Sequence, residues 1–376
     1  MNIKRYLKTL SSFSLILCII LTSSFSSIAA APWGGTVGEL PILSDGVYKI
    51  STPEQLAAFA KSVNDGNPYS KKKIVLMNDI DLNNKEWTPI GNEESRIFSG
   101  EFDGQEFYIK GLKVDKFATG DIYSRALFGR VVNAIVKNLK VSGNIVVNMQ
   151  YCSSAGIIAE SFNSIIYNCS FHGKIYGEYN SGGDGSDLGG NVGGICAVAH
   201  DCRIEKCANN AEISALDAYV GGIVANAYNS MIKNCTNNQK LKVGGSYRTA
   251  YFLPLGGICG YLSGGVVSDS VNNFNILCEG VSYVGGIVGA TSEGDFGKMG
   301  VIESCKNYGN ISGYNCVGGI TGSIKYRNQV RKCINKKIIK ATYLLDPDRE
   351  HSPFGNNEFC GTLYGFCEEN GDKIVW

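Results

Sequence analysis

Side chains able to do chemistry are unevenly supplied in this chain: 14 cysteines and 34 acidic residues, but only three histidines among 376 residues. Those three are His172, His200 and His351, and no H-E-x-x-H occurs, so no zinc peptidase site is present. No C-x-x-C pair exists either, which leaves zinc and redox motifs unsupported. Gly182-Gly183-Asp184-Gly185-Ser186-Asp187 imitates a calcium-binding nonapeptide. It is a single copy, and Gly189 stands where a large apolar residue is wanted, so it reads as a glycine-rich loop insertion. No metal or other cofactor is expected.

Cleaving a polysaccharide would need clustered carboxylates, usually with an Arg or Lys beside them. The chain places Ile158, Cys196, Val224, Cys259, Val288 and Thr321 at one recurring position, and none is acidic. At another, Glu205, Lys233, Ser268, Glu303 and Arg331 recur. There Glu205 faces Lys233 and Glu303 faces Arg331, as cross-strand pairs rather than a carboxylate dyad. Asp346, Asp348 and Glu350 beside Arg349 form the one acidic cluster of the tail, and it is assigned no catalytic role. Binding chemistry has more material. Of the 20 tyrosines, Tyr219 and Tyr283 each stand two residues before a paired glycine, where a ring could stack on a sugar or anchor a protein. The bland alternative is that both rings pack against corners or insertions.

What positions these residues is a repeat. Gly193-Gly194-Ile195, Gly221-Gly222-Ile223, Gly256-Gly257-Ile258, Gly285-Gly286-Ile287 and Gly318-Gly319-Ile320 each open a unit. A Cys or Ser follows, then an Asn, then another aliphatic residue. The Cys series is Cys169, Cys207, Cys235, Ser270, Cys305 and Cys333, preceded by Leu139. The Asn series is Asn209, Asn237, Asn272, Asn307 and Asn335. Internal repetition outranks other signals in a first reading. Short Ile/Val anchors between glycine-rich corners suit strands, and Gly-Gly pairs in every unit would break helices. The expected fold is all-β: a single-stranded right-handed parallel β-helix of about nine coils, with strands stacked about 4.8 Å apart. The Asn series would form a corner stack, since Asn tolerates left-handed backbone and stacked amides bond from coil to coil.

Residues 1–31 read as a secretory signal, with Lys4, Arg5 and Lys8 ahead of an apolar Phe13–Leu21 core. That core is too short for a membrane span. Three positive charges leave with it, taking the net charge from +1 to about −2, which gives no support to nucleic-acid binding. Cys18 leaves too, so 13 cysteines remain. Buried free thiols are expected for the column, with disulfides between adjacent coils as the alternative. Residues 32–46 read as a linker, and 47–66 as a strand and a capping helix. Thr52-Pro53-Glu54-Gln55 opens that helix as a capping box, and Leu56, Phe59, Ala60 and Val63 make its apolar stripe. The solenoid is expected over 67–345 and a closing segment over 346–376.

One stretch runs Asn78-Asp79-Ile80-Asp81-Leu82, Trp87-Thr88-Pro89-Ile90-Gly91, Phe98-Ser99-Gly100-Glu101-Phe102-Asp103-Gly104, then Leu127-Phe128-Gly129. With the repeated Gly-Gly-Ile, it resembles bacterial secreted and surface proteins carrying GLUG-motif repeats, which also occur beside IgA-cleaving metallopeptidases. The resemblance spans roughly 47–340 and implies a repeat scaffold for adhesion or surface binding, without a peptidase domain here. On the same match, Asp79, Asp81 and Asp103 tie turns near the N-terminal cap. The expected function is a secreted or cell-surface, non-enzymatic, adhesin-type scaffold, monomeric, binding glycan or a host or cell-surface protein. The alternatives are a polysaccharide lyase or glycoside hydrolase, with its site in insertions 178–191 or 288–301, and a structural stalk.

Overall fold

The computed structural model describes residues 30–115, 124–148, 152–178, 190–244, 253–279, 283–314, 316–325, 327–341, 360–361 and 364–367. Most of 1–31, and all of the 182–187 loop and the 346–350 cluster, fall outside them.

The chain is a β-solenoid built almost entirely of parallel strands, with one α-helix, Pro53–Asn64. Each unit turns through three faces. The paired glycines close short strands such as Ala218–Gly221 and Leu255–Gly256, which stack into one eight-stranded sheet. Strands such as Val224–Tyr228 and Cys259–Ser263 stack into a second. The rest, from Ile42–Ser44 to Ile339–Ala341, join a 22-stranded sheet. Registers are strict: Val224 pairs with Cys259, Asn226 with Tyr261, Tyr228 with Ser263.

The corner between the first two faces explains the glycines by close approach. A Cβ on Gly221 would sit 1.8 Å from the Val224 carbonyl oxygen, and one on Gly222 2.1 Å from the Gly257 oxygen. No side chain larger than hydrogen fits there. Behind the corner, Leu127, Ile157, Ile195, Ile223, Ile258, Ile287 and Ile320 are all fully buried. Ile195 N–H donates to Ile223 O at 3.0 Å, and Ile223 N–H to Ile258 O at 2.9 Å.

The cysteine column lies in the interior. The 11 cysteines from Cys152 to Cys333 are free, and all of them but Cys333 are buried. The Cys235 thiol reaches Lys233 O at 3.3 Å, and the Ser270 hydroxyl makes the same contact to Ser268 O at 2.8 Å. That shared bond explains why Ser replaces Cys in this column.

The asparagines form the expected amide ladder from coil to coil, but not on left-handed backbone. Each amide donates to the next: Asn209 to Asn237, Asn237 to Asn272, Asn272 to Asn307 and Asn307 to Asn335, at 2.7–2.8 Å. Each also donates to the carbonyl two residues on, such as Asn237 to Gln239 O at 2.8 Å. None of the five has a positive φ. The left-handed residues are instead Asn138, Asn168, Lys206, Asn234, Asp269, Ser304 and Lys332, at φ 50–55°. These sit immediately before the cysteine column, where the chain turns, while the ladder amides point inward. The charge pairing also shifts. Glu303 and Arg331 meet at 3.4 Å, but Glu205 pairs with Arg203 at 2.8 Å although it lies opposite Lys233. Two residues apart on one strand, Arg203 reaches the carboxylate along its own face.

The N-terminal end is closed as the capping signals predict. Thr52 Oγ1 accepts from Gln55 N–H, and Gln55 Oε1 accepts from Ser51 N–H at 2.7 Å. Phe59 packs edge-on against Tyr69 and Phe98, sealing the open end of the core. The stretch 32–46 is held to this cap rather than free of it. Trp33 is buried against Trp87, and Ile42–Ser44 pairs antiparallel with Val47–Ile50. Near the cap, Asp79 accepts from Tyr108 N–H, Asp81 from Asn83 N–H and Asp103 from Gln105 N–H. At the far end, Cys360–Gly361 and Tyr364–Cys367 add strands to the first and second faces.

Replacing Asn237 with Ala strands buried amide groups on both neighbours and should cost about 2–4 kcal/mol in urea unfolding. Cys235→Ser, which copies Ser270, should cost roughly 1 kcal/mol or less. Equal losses from the two changes would show that the amide ladder holds nothing the packing does not.

Candidate functional site

Outward side chains of the two eight-stranded sheets meet along the glycine corner and form a seam parallel to the stacking direction. On the second face, the residue two places after each strand's start faces this seam: Arg130, Glu160, Val198, Asn226, Tyr261 and Ala290 in successive rungs. On the glycine face, Ser153, Asn191 and Tyr219 hold the matching position. Contacts cross the corner at three levels. Ser153 hydrogen-bonds Glu160, Asn226 donates its amide to Asn191, and the Tyr219 and Tyr261 rings lie 6.2 Å apart.

Tyr219 is therefore half-buried in an aromatic cluster with Tyr261, and Tyr261 meets Tyr228 edge-on at 6.5 Å. Burial first, and then the neighbouring Tyr228 and Tyr261, push the Tyr219 hydroxyl up to about 12. Tyr283 is in line with Tyr219 two rungs along, with Pro254 between them, because Val284, Leu255 and Val220 are in register. The two tyrosines thus share a column, two rungs apart.

The next outward column carries a stack the glycine frame gave no hint of. The His200 ring lies between Phe162 at 5.2 Å and Tyr228 at 4.3 Å, nearly parallel to both. Register produces this, since Phe162, His200 and Tyr228 are directly opposed. The Arg130 guanidinium covers the other face of Phe162 at 4.6 Å. Stacked rings spend their faces on one another, so this column offers edges to solvent. Burial lowers the His200 pKa below its ordinary value.

Arg130 also joins two carboxylates. Its Nε lies 3.8 Å from Glu160 and its Nη1 3.5 Å from Glu94. The two partners differ sharply in exposure: the Glu94 side chain is 90% exposed and that of Glu160 only 24%. Burial raises the Glu160 pKa; Arg130 opposes that shift and Glu94 adds to it.

The position immediately after the isoleucines, which holds Ile158, Cys196, Val224, Cys259, Val288 and Thr321, is buried. A search for carboxylates there misses the seam, which begins two residues later. Reading every second residue of Phe128–Val132, Ile158–Phe162 and Cys196–His200 would have exposed Arg130, Glu160, Phe162 and His200. In the 288–301 insertion, Asp295 is tied to Asn229 at 2.8 Å. Most of 178–191 lies outside the described residues. Among the described residues, no group of three or more His, Cys, Asp or Glu could hold a metal ion, and no helix is long and apolar enough to cross a membrane.

Comparison with known proteins adds little. No protein-family model matches the chain, and no curated protein does. Two of the solved structures to which it is similar are the following. One is a Bacteroides ovatus protein provisionally assigned as an immunoglobulin A1 protease, with 16% identity, a TM-score of 0.47, and coverage of 86% of this chain and 85% of that one. The other is an IgA1 protease, with 15% identity and a TM-score of 0.44, where the match covers 80% of this chain but 22% of the protease. Neither likeness is close enough to carry a function.

Glu160 supplies a pH test. Its raised pKa means the neutral carboxyl is favoured on folding, so its stabilising contribution is complete below its ordinary value of 4.5 and fades as pH rises through the raised value. The melting temperature of Glu160→Gln relative to wild type should climb between pH 4.5 and neutrality. A difference that does not change with pH would mean the carboxyl is not desolvated in the seam.

Proposed function

We propose that this chain is a secreted or surface-associated scaffold of the adhesin type, which binds ligand along the seam without transforming it. In this reading the solenoid is a single-stranded right-handed β-helix of about nine coils, related to the GLUG-repeat proteins. The observation that carries the proposal is the Tyr219–Tyr261–Tyr228 cluster, continued by the Asn191–Asn226 amide pair. Half-buried tyrosines beside fixed amides suit the apolar faces and hydroxyl edges of a glycan. A parallel solenoid repeats such groups at about 4.8 Å, which favours an extended polymer over a compact ligand. A cell-surface protein is the second partner class compatible with exposed tyrosine.

The test is retention and chain length for a panel of polysaccharides incubated with the protein. Retention without shortening is expected. Tyr219→Ala and Tyr261→Ala should each weaken retention about tenfold, roughly 1–2 kcal/mol. Shortened chains or new unsaturated ends would replace the binding reading with an enzymatic one.

A further inference from the structure

Resting on that reading, we infer that the seam selects acidic glycans, with Arg130 as the residue that receives a sugar carboxylate. The guanidinium is already oriented for this. Phe162 supports its face, and Glu160, hydrogen-bonded by Ser153, holds its Nε side. Its outer edge is met by Glu94, a side chain 90% exposed and 3.5 Å away. An ion pair to so exposed a carboxylate contributes little. A ligand carboxylate can take the place of Glu94 and bind the planar fork in two-point fashion, which a lysine could not offer.

Further along the seam, the lining changes from charge to neutral hydrogen bonding. Asn226 lies three rungs from Arg130, with Glu160 and Val198 between. It is 4% exposed, and its Oδ1 is buried with no hydrogen-bond partner among the described residues. A buried acceptor without a donor is costly, and a ligand hydroxyl is a donor of the right kind. Three rungs span about 14 Å at the usual strand spacing, the scale of a trisaccharide. Carboxylate recognition at Arg130 and hydroxyl recognition at Asn226 thus fit one acidic oligosaccharide laid along the stack. An acidic peptide would satisfy Arg130 but offers no row of hydroxyls to the amide end.

The experiment is calorimetric titration of the protein with uronate-, sialate- and hyaluronate-type oligosaccharides, each beside its carboxyl-reduced neutral counterpart. At least one acidic member should bind about tenfold tighter than its neutral form. Arg130→Gln should erase that difference, and Arg130→Lys should restore only part of it. Glu94→Gln should strengthen acidic binding several-fold while leaving neutral binding unchanged, because it removes the competitor. Circular dichroism confirms folding of each variant. Acidic and neutral forms binding alike would overturn carboxylate selection while leaving glycan binding intact. A Glu94→Gln variant with weakened acidic binding would also overturn it, as would an oligoglutamate binding as tightly as the sugar. If no sugar of either kind binds, the glycan reading itself falls.

Discussion

The fold depends on backbone packed against backbone at the glycine corner. With a Gly221 Cβ only 1.8 Å from a carbonyl oxygen, the turn closes more tightly than any side chain permits. That tightness brings two sheets edge to edge, and the same approach recurs at Gly193, Gly256 and Gly285, while Ala155 holds the place in register with Gly193. The interior isoleucine column, the inward amides and the outward seam all follow from one repeated steric condition. Polar interactions then fix the register. An aliphatic column alone would tolerate slippage, whereas an amide ladder with two donors and one acceptor engaged per rung does not.

The buried thiols illustrate how a repeat divides labour. Burial pushes the Cys152 thiol up to about 11, and pushes Cys196, Cys207 and Cys235 up as well. These groups behave as small hydrophobes with one weak bond to a carbonyl, which is the role Ser270 also fills. Nucleophilic chemistry in the core is disfavoured by the same desolvation that makes the position useful for packing.

How much of this was legible in the sequence follows from the same logic. Positions such as Ile223, Cys235 and Asn237 recur because every rung imposes the same interior environment, so repetition reveals them. The seam residues recur in place but not in type: Arg130, Glu160, Val198, Asn226 and Tyr261 occupy one column with five different side chains. A search for likeness passes over such a column, and only its geometry brings it together. Tyr219 was visible because it precedes a glycine pair, but its partner Tyr261 lies in the next unit and on another face. The ladder's left-handed assignment failed for a related reason. Asn suits two different roles, and only backbone angles separate the turning residues from the bonded ones.

The two ends of the solenoid are built differently, and this gives the molecule a mechanical direction. At one end, a helix and a cluster of aromatic rings lock several strands together, so tension applied there must shear them at once. At the other, among the described residues, the 22-stranded sheet finishes with the half-buried strands Gln329–Arg331, Ile334–Asn335 and Ile339–Ala341, each bonded on one side. Lys332, Lys336, Lys337 and Lys340 keep that edge charged and hostile to a stray strand. A force entering there would peel rungs singly, as a zip opens, and the load would be shed in small steps before it reached Arg130 and Glu160 near the locked end.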